Sequence, residues 1–215
     1  MNTASAPFKP ACLALLLAVG IAGWSSARAC GYHDASSYHV GMLNWAYPDA
    51  LHVRTAVWMA QRDGLLARSE PLPAADAASP DARLLLTMRL RATQARLDAL
   101  RAALDATPAG RSVPAFAVVL IGPMLWTRFA ATDGRMHMAF HAQGPISDDV
   151  VVVTDAPVLA ALIDGKISFD SARANGLAKL YGSVEAVERV AAILDQALPA
   201  QHAPLTLYLD PAQKD

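Results

Sequence analysis

Apolar positions along the chain change their spacing several times, and each change marks an element. Residues 11–24 form an apolar run that follows Lys9. The run is shorter than the about 20 residues that a spanning helix needs, and it has the length of a secretory h-region. Ala27-Arg28-Ala29 then supplies small residues at −3 and −1 of a cleavage point after Ala29. The expectation is an exported protein, periplasmic or secreted, whose residues 1–29 are removed. Residues 30–47 are irregular and rich in aromatics and histidine. Pro48 and Asp49 have the chemistry of a first helical turn: proline loses no hydrogen bond there, and the acid meets the positive end of the dipole. Leu51, Thr55 and Trp58 follow at helical spacing, with His52, Ala56 and Met59 beside them and Gly64 as the stop.

Residues 70–78 form a proline- and alanine-rich linker. Ser79-Pro80-Asp81 combines a capping hydroxyl, a first-turn proline and an acid, so a helix starts there. Leu86, Leu90, Leu97, Leu100 and Leu104 give that helix one apolar face up to Thr107-Pro108. Its Arg89, Arg96 and Arg101 are expected to form a solvated face with Asp98 and Asp105. The period then shortens. Residues 116–121 are β-rich, Gly122-Pro123 breaks the run, residues 125–129 resume it, and Thr132-Asp133-Gly134 is a hairpin turn. Over 135–141 the residues alternate, with Met136, Met138 and Phe140 on one side and Arg135, His137 and His141 on the other. Residues 150–154 are apolar on both faces. Asp155 caps a short helix carrying Val158, Leu159, Leu162 and Ile163, and Gly165 closes it. Residues 176–182 give a strand between glycines. Ser183 caps a last helix with Val184, Val187, Ala191, Leu194 and Leu198 inward, stopped by Pro199. Leu205, Leu207 and Leu209 suggest an edge strand. The sum is an α+β fold: an antiparallel sheet of about five strands covered by helices, with a helical N-terminal extension. The expected organisation is a signal over 1–29, an extension over 30–79 and an α+β domain over 80–215.

Composition narrows the function. Lys9 and Arg28 leave with the signal and no acid does, so the net charge falls from −1 to −3. A mildly acidic chain without a basic stripe is not built to meet nucleic-acid phosphates. About 186 of the 215 residues remain, enough for one core. Cys30 is then the only cysteine, so no internal disulfide forms and the fold depends on burial alone. Membrane contact is expected only if Cys30 is lipidated; a protein partner, if any, would be met through residues 30–79.

No motif for nucleophilic catalysis, for a phosphate-cradling glycine loop or for a catalytic zinc is present, and the expectation is a protein that is not an enzyme and needs no cofactor. Asp148 and Asp149 point to opposite sides of an extended chain and cannot share a proton. His137 and His141 would share one ion on a helix, but four strand residues span about 13 Å, which places them too far apart. Cys30 and His33 are a weaker alternative, a soft-metal pair for copper or zinc in an exported accessory protein.

From about residue 80 to residue 198 the chain resembles the sterol carrier protein, or non-specific lipid-transfer, family. The resemblance is carried by residues 149–155, by 159–167 with Gly165, by Phe169 and Ala172, by Gly176-Leu177-Ala178-Lys179-Leu180-Tyr181-Gly182 and by the helix after Ser183. It covers a little over half of the chain that follows residue 29. It implies an apolar tunnel between sheet and helices for a lipid or other apolar small molecule. It marks Trp126, Phe129, Met138, Phe140, Leu159, Leu162 and Ile163 as candidates for the tunnel wall.

Overall fold

The computed structural model describes residue 43, residues 46–68 and residues 79–200. The segment expected to be a secretory signal, Cys30, His33 and the strand expected around Leu207 lie outside the described residues. Among the described residues two helices come first: α1 (Ala50–Arg62) and α2 (Pro80–Ala106), the latter followed by a 3-10 turn, Pro108–Ser112. The strands β1 (Phe116–Leu120), β2 (Leu125–Thr132), β3 (Arg135–Phe140) and β4 (Val150–Thr154) follow. Then come α3 (Ala156–Ile163), α4 (Phe169–Ala174), β5 (Lys179–Tyr181) and α5 (Val184–Ala197). Three of the caps are those the sequence announces; Ser168, which caps α4 by accepting from the Ser171 N–H, is not. Ser79 accepts from the Ala82 N–H, Ser183 from Ala186 and Asp155 from Ala156, each satisfying a donor that the first turn leaves open.

The five strands form one sheet in the order β3-β2-β1-β4-β5. All neighbours are antiparallel except β1 and β4, which run parallel. The expectation of a wholly antiparallel sheet is corrected at this one pair. Hairpins carry the chain outward from β1 to β3, with Asp133 and Gly134 at positive φ in the β2–β3 turn, as a tight right-twisted hairpin requires. Residues 141–149 then return the chain to the far side of β1. Because β3 ends and β4 begins at opposite ends of the sheet, β4 enters parallel to β1. Its central place, between β1 and β5, explains why all five of its residues are buried.

Register sorts the side chains into two faces. Phe116 stands level with Phe129 and Val150, Val118 with Thr127 and Val152, and Leu120 with Leu125 and Thr154. Phe129 in turn faces Met138, and Thr127 faces Phe140. The opposite face holds Ala117, Arg128, Ala139, Val151 and Tyr181, with Val119, Trp126 and Val153 beside them.

Helix α1 packs against β4 on this second face. The Asp49 N–H donates to the Tyr181 hydroxyl at 2.9 Å, and the Tyr47 ring lies 5.1 Å from Tyr181 and 5.9 Å from Trp126. Part of the 30–79 stretch is therefore joined to the sheet. The helix presents its small residues inward: Ala50, Val53, Val57 and Ala60 are buried. The stripe of Leu51, Thr55 and Trp58 points outward, and Trp58 is 58% exposed. Small side chains let the helix axis approach a sheet face already filled by valines, whereas Trp58 finds its partner in the Arg62 guanidinium, 5.7 Å from its ring centroid.

Asp155 ties three elements together. Its Oδ1 accepts from the N–H groups of Ala156 (2.8 Å) and Gly122 (2.9 Å), and Arg54 of α1 approaches Oδ2 at 3.8 Å. Burial pushes this carboxyl above its ordinary value, while the bonds from Ala156 and Gly122 and the charge of Arg54 pull it partly back. A raised folded-state value means that the folded chain holds the proton more tightly. The contribution to stability is thus full below about pH 4, the unfolded value, and is lost as pH rises through the folded value. Asp155→Asn keeps the Oδ1 acceptor and removes the titration. Urea midpoints from pH 3 to pH 7 are expected to favour the variant increasingly as pH rises; a parent whose relative stability improves with pH contradicts this.

Candidate functional site

Between the first sheet face and its helices lies an apolar layer, part of the buried core. Leu97, Leu100 and Leu104 of α2 are buried in it. Helix α5 also lies on this side: a side chain at Gly182 would meet both Val150 Cγ2 (3.2 Å) and Val187 Cγ2 (3.5 Å). Helix α3 packs against α2 and contributes Leu159 and Leu162, both buried, and Ile163, which is half-buried. On the sheet, Phe129 is fully buried and stacks on Phe116 with ring centroids 5.0 Å apart and planes 12° from parallel. Met138 and Phe140 are half-buried on β3, the edge strand, where the layer meets its rim.

Six of the seven candidates therefore belong to one apolar layer. Trp126 does not join them. Its register with Val119 puts it on the opposite face, against Tyr47, so it cannot share a wall with Phe129. Strand phase explains the split: residues 126 and 129 are an odd number apart and must face opposite ways.

Sequence reading missed a residue at the centre of this layer. Thr127 is 1% exposed, and its hydroxyl has no hydrogen-bond partner. It stands between Val118 on β1 and Phe140 on β3. An unpaired buried hydroxyl forfeits about 1–3 kcal/mol, and such atoms are few in folded proteins. The signal in the sequence is a threonine in phase with Leu125 and Phe129, the inward positions of β2.

Polar chemistry lies elsewhere. Arg128 holds Asp149 through two bonds, Nε to Oδ2 at 2.7 Å and an Nη to Oδ1 at 2.9 Å, and the Ile146 N–H donates to the same carboxylate. Burial and these bonds leave Asp149 committed to structure; Asp148 is exposed at positive φ. His137 projects from the second face and is exposed. His141 follows the end of β3 with φ of 59° and sets its ring edge-on to Phe140 at 4.7 Å. That left-handed step removes it from the alternation that the sequence suggests. Among the described residues no group of three or more His, Cys, Asp or Glu is placed to hold a metal ion, and no helix is long and apolar enough to cross a membrane. A groove of about 430 Å³ is lined by Asp170, Arg173, Ala174, Ala178, Lys179, Leu180 and Val187. It is charged, and none of the seven candidates lines it.

Fold and site together define an α+β protein in which a mixed, mostly antiparallel five-stranded sheet carries a helix-covered apolar layer. No protein-family model matches the chain, and no curated protein does. Among solved structures it is similar to a "UbiJ-SCP2 Ubiquinone synthesis protein", with a TM-score of 0.38 at 17% identity. That similarity covers 51% of this chain and 98% of the other.

Proposed function

We propose that the protein is an exported, non-catalytic carrier that binds an apolar small molecule bearing one polar group, such as a lipid, between the sheet and helices α2, α3 and α5. The observation that carries this reading is the Thr127 hydroxyl, buried without a partner in the apolar layer. A ligand carbonyl or hydroxyl placed there would complete the hydrogen bond that the protein leaves open, and burial of the ligand's chain supplies affinity at about 25 cal/mol per Å². Access lies beside β3, where Met138 and Phe140 are only half covered. Phe129, Leu159 and Leu162 form the inner wall and Ile163 part of the rim. Because Phe129 is fully buried and stacked on Phe116, the ligand is admitted by displacement of the helices from the sheet, at a cost drawn from its own burial.

The protein recovered from the exported fraction is expected to take up a fluorescent fatty acid or quinone analogue at one molecule per chain. Thr127→Val removes the orphan hydroxyl and keeps the shape. It should raise the stability of the ligand-free protein by about 1 kcal/mol and weaken probes that carry a polar head by about tenfold. A purely hydrocarbon probe should bind parent and variant alike. Failure of every apolar probe, or equal loss of both probe classes in the variant, contradicts the proposal.

A further inference from the structure

Helix α2 carries two apolar faces, and only one of them is used by the fold. Winding at about 100° per residue puts Leu86, Thr93, Leu97, Leu100 and Leu104 together on the core side, where all are buried. Leu84, Ala95, Met88, Ala92 and Leu85 fall within a second arc of about 100°, centred roughly 150° round the helix from the first. These five are exposed, and Leu84 and Met88 keep 62% and 59% of their surface in solvent. The same winding sets Arg91 at one edge of the arc and Arg89 and Arg96 at the other. Asp81, in the first turn, also falls within the arc, and Arg83 lies off it. From Ala82 to Leu97 the helix has no acid, so no carboxylate of that stretch stands beside Arg89, Arg91 and Arg96 at the borders of the arc.

We propose that this outer face of α2 docks on an anionic lipid surface, with Leu84, Met88 and Leu85 entering the headgroup boundary and the flanking arginines meeting the lipid phosphates. An exposed apolar stripe bordered by cations is the pattern of a helix lying in the plane of an interface. Arginine stems cover apolar surface while their heads stay in the polar layer. Each cation adds attraction toward an anionic leaflet even though the chain as a whole is acidic. Charge also selects against a second copy of the same face, since two arginine borders would oppose each other. The area does so as well: five partly exposed side chains offer a few hundred Å², short of the about 800 Å² per partner of a stable complex. The docking is independent of Cys30 and of whether the interior layer holds a ligand.

The test is flotation of the full chain with vesicles of phosphatidylcholine alone and of phosphatidylcholine mixed with phosphatidylglycerol. Binding to the mixed vesicles is expected to exceed binding to the neutral ones and to weaken with salt. The double variant Leu84→Ser, Met88→Ser should lower it about tenfold or more, as should Arg91→Glu alone. The N-terminal apolar run is common to all of these chains, so the difference between them reads α2. All three positions are exposed, and unchanged circular dichroism and thermal midpoints confirm intact folds; if the double variant unfolds, Arg91→Glu carries the test. Equal binding by parent and variants, no preference for the anionic vesicles, or self-association in sedimentation that the same variants abolish would each overturn the proposal.

Discussion

Phe129→Ala is expected to cost about 3–5 kcal/mol of unfolding free energy, the largest effect of any single truncation in the sheet. The ring is fully buried and stacked on Phe116, with Met138 level with it on the next strand. Truncation removes the transfer energy of the ring and leaves a space lined by β1, β2 and β3, whose backbones are fixed by their ladders and cannot close on it. The prediction has a second half. If the interior layer takes an apolar guest, the space made by Phe129→Ala lies inside it, and an apolar probe should restore part of the lost stability in proportion to its occupancy. Denaturant midpoints with and without probe read both halves. A loss below about 1 kcal/mol would mean that the stacked pair is not held as described.

The second large effect belongs to Arg128. Its guanidinium makes both of its bonds to an Asp149 side chain that is only 2% exposed, while the arginine itself keeps 25% of its side-chain surface in solvent. Arg128→Met retains most of the stem and deletes the charge. The carboxylate then stays buried with the Ile146 N–H as its remaining donor. Breaking a buried pair costs about 3–5 kcal/mol, and the partial exposure of the arginine brings the expectation down to about 2–4 kcal/mol. Adding Asp149→Asn removes the stranded charge and should recover part of the loss. A double variant as unstable as the sum of the two single ones would show that the pair is not coupled.

The strongest local signals in the sequence correspond to particular chemistry in the fold. Ser79-Pro80-Asp81 starts α2, Asp155 and Ser183 cap α3 and α5, and Asp133-Gly134 turns the β2–β3 hairpin. As caps and turn each works through bonds within a few residues, which the sequence can show; the further bonds of Asp155 to Gly122 and Arg54 it cannot. Non-local arrangements were less legible. Nothing between residues 141 and 149 says on which side of β1 the chain will return, and the parallel β1–β4 pair follows from that choice. In α1 the spacing shows a helix but not which stripe turns inward. The surface that α1 meets is the valine side of β4, far later in the chain, and it accepts alanine and valine. The candidate wall was legible as far as strand phase goes: Phe129, Met138 and Phe140 do share a face. Trp126 was placed with them by type and is separated from them by phase. Thr127 escaped because a threonine in a strand is ordinary until its neighbours are known to offer no partner.

Native mass spectrometry of the purified protein decides whether the interior layer takes an apolar guest. The expected result is a population heavier than the bare chain by one small apolar molecule, stripped by organic solvent and diminished in Thr127→Val. A bare chain alone, unaltered after incubation with an excess of fatty acid or quinone, would contradict it.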